Sequence, residues 1–353
     1  MVCKGELIIA ALSICLLFSR CVGKEGPEAT DNGNDTLKEW AESIPQRNKY
    51  HNPVVYQGLP DPTVITGEDG LFYLFATEDT RNIPIMVSPN LIDWCKTGTV
   101  FNEDNRPSFI NKGELWAPDV NRIGNKYVLY YSLATTSVSQ WDWAIGVAIA
   151  DKPYGKWQDK GLLFNGEEIG VLSSIDPCFY SEAGKNWLIW GSYYGIWIIE
   201  LSKDGLSVKS GAEKHRLASG YGLEGSMIFK KGDKYYLFIS EGGTGYEQHY
   251  RLGVYKADNL MGPYLNRKGL DAAEDAEAEY FLSAGNGFVS PGHCSEIITD
   301  DVGRDWLLYH AFVKGNPGAR NLMLDVIKWE DGWPTIGDGH PTLESEIAPS
   351  FSL

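Results

Sequence analysis

The sequence predicts an all-β fold, a five-bladed β-propeller. Three observations predict it. Beyond about residue 50 the chain is a succession of runs rich in Tyr, Trp, Val and Ile, separated by Gly, Asn, Asp and Lys clusters. One sequence pattern recurs five times at a spacing near 50 residues, the mark of a repeat architecture. The chain is also large enough for such an array, with 353 residues of which 43% are hydrophobic and 12% aromatic.

The repeats are preceded by a different kind of sequence. Lys4 leads into the apolar run Leu7–Phe18, which is too short to span a bilayer comfortably but suits the core of a signal peptide. Cys21 follows at the expected cleavage point, ahead of the polar stretch KEGPEATDNGND. This order resembles a bacterial lipoprotein signal, with Cys21 lipidated, although Arg20 departs from the small residue usual before such a Cys. Residues 1–21 are therefore expected to direct export to the periplasm or cell surface. Residues 22–50 are expected as a tether carrying a short helix over Asp35–Ser43, and residues 51–353 as the propeller.

Composition excludes several function classes. The formal net charge is −16, which argues against binding nucleic acid or an anionic membrane surface. Beyond the leader only Cys95, Cys178 and Cys294 remain, with no C-x-x-C spacing, so buried free thiols are expected and a structural zinc site is not. No Gly-rich phosphate loop joins a strand to a helix.

The repeated segments are PDPTVITGEDGLFYLFATED, APDVNRIGNKYVLYYSLAT, IDPCFYSEAGKNWLIWGSYYG, LEGSMIFKKGDKYYLFISEGG and PGHCSEIITDDVGRDWLLYHAF. Each opens with an ionisable residue: Asp61, Asp119, Asp176, Glu224 and His293. Each continues through a short apolar strand and a tight polar turn to an aromatic-rich second strand. The opening residues are 58, 57, 48 and 69 positions apart. Intervening stretches such as WAIGVAIADKPYGKWQDKG and RLGVYKADNLMGPYLNRKG supply the outer strands of each blade.

In a propeller the first strand of every blade lies against the axis, so the five opening residues are expected to meet around one mouth of the channel. The second strand returns to that face and is expected to bring Glu78, Asp79, Ser132, Ser192, Glu241 and His310 to the rim. Carboxylates crowded in this way push at least one pKa upward. One protonated and one ionised carboxyl are the apparatus of glycoside hydrolysis. A negative mouth would also stabilise an oxocarbenium-like transition state.

From about Asn52 to Pro334 the chain resembles glycoside hydrolase family 43, through LPDPTVI, LWAPDV, IDPCFY, LEGSMIF, PGHCSEI, LLYHAF and RNLMLDVIKWEDGWP in order. The resemblance implies five-bladed propellers that act by inversion on arabinose- and xylose-containing polysaccharides. It implies Asp61 as general base, Glu224 as general acid, and Asp176 as the carboxylate that orients the acid and raises its pKa. Trp116, by stacking, and Asp119, Ser192, Glu241, His310 and Arg320 are the expected substrate contacts; Asp119 has a competing role in capping inner-strand backbone, Glu241 is a rival acid, and His310 and Arg320 have orienting the carboxylates as their alternative. His293, in a Gly-His-x-Ser setting, would approach a calcium ion in the channel through water, because one imidazole cannot supply the oxygens calcium needs. No cofactor is required for the hydrolysis.

The expected partner is a neutral plant polysaccharide. The Gly-His-x-Ser motif, the wording SIDP and the strand WAIGVAIAD lean toward α-1,5-L-arabinan, whereas the Pro-Asp-Pro around Asp61 is closer to the family's β-xylosidases and α-L-arabinofuranosidases. The rival from another class is a non-catalytic sugar-binding propeller, which would have no need of the trio Asp61, Asp176 and Glu224.

Overall fold

A computed structural model describes residues 33–77, 82–107, 114–134 and 139–352. The leader with Cys21, and the expected rim residues Glu78 and Asp79, lie outside the described residues. Besides a two-stranded sheet of Tyr50–His51 with Glu344–Ser345, the described chain forms five antiparallel sheets in sequence order around one axis, a five-bladed β-propeller. Blade 1 comprises Thr63–Thr66, Phe72–Phe75, Pro84–Ser88 and Cys95–Thr99. Blade 2 comprises Leu115–Ile123, Lys126–Ala134, Trp143–Ala150 and Gln158–Asn165. Blade 3 comprises Cys178–Glu182, Lys185–Trp190, Ile196–Leu201 and His215–Ala218. Blade 4 comprises Leu223–Lys231, Lys234–Glu241, Arg251–Ala257 and Glu279–Leu282.

Blade 5 is built from both ends of the domain. Phe288–Gly292, Asp305–Val313 and Asn316–Glu330 come from the C-terminal part, and Val55–Gly58 adds the outer strand. This pairing, with Val55 opposite Leu322, fastens the first repeat to the last and leaves the ring no open edge between them.

The hairpins turn where the sequence places Gly. In blade 2 Gly124 has φ +63, and in blade 4 Gly232 has φ +62; each is the first residue of a two-residue turn, where a positive φ is required. The strands they join are apolar on both faces because neighbouring blades pack against one another. The successive residues Tyr130 and Tyr131 of blade 2, for instance, are both fully buried. Cys95, Cys178 and Cys294 are free and buried.

Part of the segment expected as a tether is packed instead. The helix Gly33–Ser43 buries Leu37, Trp40 and Ala41 against Tyr73, Phe75 and Ile83 of the first blade. Three apolar residues on one helical face gain more from that burial than a solvated linker would.

Candidate active site

Each blade passes the axis through a residue with a left-handed backbone: Asp61 (φ +56), Ala117 (+31), Asp176 (+58), Gly225 (+55) and His293 (+46). Such φ values are uncommon outside Gly, and their recurrence at one place in five blades identifies them as structural equivalents. The backbone amide of each is taken up by a side chain from the blade before it. Ala117 donates to Thr77 Oγ1 (2.7 Å), Asp176 to Ser132 Oγ (2.8 Å), and His293 to Ser240 Oγ (2.8 Å). Asp61 closes the ring by donating to His310 Nδ1 (3.1 Å).

One junction departs from this pattern. At Gly225 the amide donates to Asp176 Oδ2 (3.0 Å), which releases the Ser192 hydroxyl to donate to Glu224 Oε2 (2.8 Å). Gly is required here, since a Cβ would come within 2.9 Å of the His293 ring. The second Glu224 oxygen accepts from the buried Tyr250 hydroxyl (2.9 Å). Glu224 is thus held at both oxygens by groups behind it.

Asp61, Asp176 and Glu224 line one cavity of about 200 Å³, together with Trp116, Trp143, Tyr193, Thr244, His293 and Arg320. All three carboxyls are buried, but their surroundings drive them apart. Burial would raise the Asp61 pKa, yet the Arg320 guanidinium at 3.0 Å and the Thr77 hydroxyl at 2.7 Å hold it well below the usual carboxylate range. Burial raises Glu224 instead, against its two hydroxyl donors. Burial and the neighbouring Glu224 and Asp61 charges raise Asp176 as well. The cavity therefore sets a carboxyl whose surroundings favour the ionised form beside a pair whose surroundings favour the protonated form.

The histidines add no charge. Burial lowers the pKa of both His293 and His310, so their 3.3 Å contacts to Asp61 are contacts of neutral rings. Since His310 Nδ1 accepts the Asp61 amide, its proton sits on Nε2, which is buried without a partner among the described residues. Among those residues no group of three or more His, Cys, Asp and Glu side chains is placed to hold a metal. With Asp61 already engaged by Arg320 and Thr77, this donor set does not fit a directly coordinated calcium, which needs six to eight oxygens.

The model of "Glycosyl hydrolases family 43" matches residues 50–334. The chain belongs to that family. Among relatives, it is 28% identical to arabinan endo-1,5-alpha-L-arabinosidase C of Emericella nidulans, over 81% of this chain and 91% of that protein. It is also 28% identical to the extracellular exo-alpha-(1->5)-L-arabinofuranosidase ArbA of Cellvibrio japonicus, over 79% and 86% respectively. Among solved structures, Cellvibrio cellulosa alpha-L-arabinanase complexed with arabinohexaose superposes with a TM-score of 0.70 at 26% identity, covering 80% of this chain and 96% of that one.

Against this family 43 framework, the expected site residues divide into three groups. Asp61, Asp176, Glu224, Trp116, His293 and Arg320 converge on the cavity. Ser192 and His310 stand behind it and act on Glu224 and on the Asp61 backbone. Asp119 and Glu241, expected as substrate contacts, do not line the cavity.

Both misplacements have a register cause. The residue equivalent to Asp61 in blade 2 is Ala117, two positions before Asp119. Asp119 consequently lies deeper along the strand, where it accepts the Phe179 amide and the Asn121 side chain, each at 2.7 Å. Ser240 faces the axis in blade 4, so alternation along the strand turns Glu241 to the other face, where it meets Arg251 at 3.4 Å.

Sequence reasoning missed Thr77 and Tyr250, which hydrogen-bond the carboxyls, and Trp143 and Tyr193, which line the cavity. The signal for Thr77 was present in the repeat itself, as the hydroxyl residue matching Ser132 and Ser192. Tyr250 lies on a loop between two strands of blade 4, outside the repeated pattern.

Proposed function

We propose that this chain hydrolyses α-1,5-linked L-arabinan with inversion, Asp61 acting as general base, Glu224 as general acid and Asp176 as the group that keeps the acid protonated and oriented. The observation that carries this reading is the opposed ionisation of carboxyls lining one cavity: Asp61 depressed by Arg320, Glu224 raised by burial.

The chemistry follows from that opposition. A water held by Asp61 attacks the anomeric carbon while its proton passes to the carboxylate. The glycosidic C–O bond breaks on the other face, and Glu224 delivers its proton to the departing oxygen. Arg320 keeps Asp61 ionised and so ready to accept the proton, while the Ser192 and Tyr250 hydroxyls receive Glu224 as it becomes charged. Trp116 and Trp143, with rings 5.9 Å apart and edge to face, offer apolar walls to a sugar ring.

The activities named for the two relatives, both directed at α-1,5 linkages, favour arabinan over xylan-derived chains. Export through residues 1–21 agrees with the extracellular description of one of them, and lipidation at Cys21 would leave the propeller at the cell surface.

The test is incubation with linear arabinan and, separately, with aryl β-xylosides. Reducing ends from arabinan, with products of inverted anomeric configuration by NMR, are expected. Release from the xyloside alone would overturn the substrate assignment. Asp61→Asn and Glu224→Gln are each expected to lower kcat by about 10²–10⁴-fold, with the thermal midpoint maintained. Near-normal turnover in either variant would remove that residue from its role.

A further inference from the structure

Beyond the cavity, an arc of aromatic side chains continues across the surface between blades 3 and 4. Inside the cavity Trp143 faces Tyr193, with ring centroids 6.5 Å apart. Tyr193 in turn contacts Tyr194 (6.3 Å) and Tyr221 (5.9 Å), and those two contact each other at 6.1 Å. The last two are open to solvent, Tyr194 at 49% and Tyr221 at 76% exposure. Tyrosines this exposed are not held there by a need to fill the core.

The backbone beneath them is built to hold them in place. Tyr193 pairs with Leu223 across the blade junction, its amide donating to the Leu223 carbonyl (2.8 Å) and its carbonyl accepting from the Gly222 amide (2.8 Å). Tyr193 itself has φ +62, a conformation a bulky residue rarely adopts unless its surroundings impose it. Gly195 has φ +134, and a Cβ there would come within 2.7 Å of the Ala218 carbonyl oxygen, so the loop lies close against the next strand.

The position of the arc determines what it can bind. Leu223 directly precedes Glu224, and Tyr193 lines the cavity together with Glu224, so the aromatic surface begins beside the proposed acid. The general acid protonates the oxygen of the departing sugar, and sugars lying on its side are those of the leaving group. Rings that are apolar on the face and hydroxylated at the edge suit neutral sugar units, which present the same combination. No lysine or arginine belongs to the arc, so nothing in it selects an anion.

We propose that Tyr193, Tyr194 and Tyr221 form a binding surface for the leaving-group portion of a neutral glycan chain, two or more sugar units beyond the scissile bond. The proposal rests on the reading of Glu224 as the acid. It predicts a preference for long chains over short ones, set at the blade 3–blade 4 junction. The surface is continuous with the cavity, so its occupant is the same chain that is being cut.

The test compares the double variant Tyr194→Ala/Tyr221→Ala with the unaltered chain on linear arabinan, on arabinotriose and on an aryl arabinofuranoside. The ratio of kcat/KM on arabinan to kcat/KM on the aryl glycoside is expected to fall by about tenfold, or 1.4 kcal/mol, mainly through KM. An unchanged ratio, or parallel losses on all three substrates, would overturn the proposal. Gel retardation of both proteins by linear arabinan reads the surface separately from hydrolysis. If the unaltered chain is retarded but cleaves nothing, the hydrolytic reading fails, while loss of retardation in the double variant still supports the surface. Equal retardation of the two proteins, or none of either, counts against it.

Discussion

Replacing Tyr250 with Phe removes one hydroxyl and leaves the ring. That ring stacks on His310 with centroids 5.7 Å apart and planes 9° from parallel, a contact Phe preserves. The loss is the 2.9 Å hydrogen bond to Glu224 Oε1. A bond to an ionised group is worth about 1.5–3 kcal/mol and one to a neutral group about 0.5–1.5 kcal/mol. The hydroxyl thus favours the charged carboxylate by roughly 1 kcal/mol, close to 0.7 of a pKa unit at 1.36 kcal/mol per unit. Removing it raises the Glu224 pKa, and the acid stays protonated to higher pH. The descending alkaline limb of the kcat/KM profile is expected to move upward by about 0.5–1 pH unit, while kcat falls because the departing proton leaves a less stabilised carboxylate. Ser192→Ala, which removes the donor at 2.8 Å on the other oxygen, is expected to move the same limb the same way. An alkaline limb that stays in place, or moves downward, in both variants would refute the assignment of Glu224 as the titrating acid.

Two further perturbations test other parts of the molecule. Arg320→Met takes away the cation 3.0 Å from Asp61, whose pKa then rises; the ascending acid limb of the same profile is expected at higher pH, and an unmoved limb would separate Asp61 from the base role. Asp325 bears on stability instead: it is buried beside Tyr309, its hydroxyl 2.7 Å away, and burial pushes its pKa up to about 7. A raised carboxyl pKa stabilises the fold below the unfolded value near pH 4 and loses that contribution as pH climbs to about 7. The full shift amounts to about 4 kcal/mol, so Asp325→Asn is expected to flatten the fall in urea-unfolding stability between pH 4.5 and 8, and an equally steep fall would contradict it.

Much of the fold was legible because its repeat is carried by residue types with specific backbone consequences. Asp61-Pro62 and Asp176-Pro177 mark equivalent points in blades 1 and 3, and Ala117-Pro118 marks the same point in blade 2. Matching carboxylate to carboxylate instead chose Asp119 and slid that repeat by two positions; matching proline to proline finds Ala117. A similar slip of one residue selected Glu241 over Ser240, and in a strand one residue is enough to exchange the two faces. The principal carboxyls were legible because they occupy the repeated positions or adjoin them. Tyr250 and the Tyr194–Tyr221 surface were not, because they sit on connections whose course is set by packing between blades rather than by local pattern. The helix Gly33–Ser43 was foreseen as a helix over nearly the same residues, yet its docking was not, since burial depends on a partner surface that the segment itself does not encode.

The departure at Gly225 also bears on how the ring can be cut. At four junctions the ring is fastened by an amide and a side chain other than those of the Ser192–Glu224 contact, so a circular permutant opened at one of them parts one fastening and leaves that contact whole. At the fifth, the fastening is Asp176 itself, and the backbone that follows holds Glu224. New termini placed between Ala218 and Leu223 would release both groups at once, along with the Tyr193–Leu223 pairing. Rearranging the blades therefore costs least at the blade 4–blade 5 seam, because Thr77 Oγ1 both accepts the Ala117 amide and donates to Asp61, and the amides of Asp61 and Asp176 fasten two further seams.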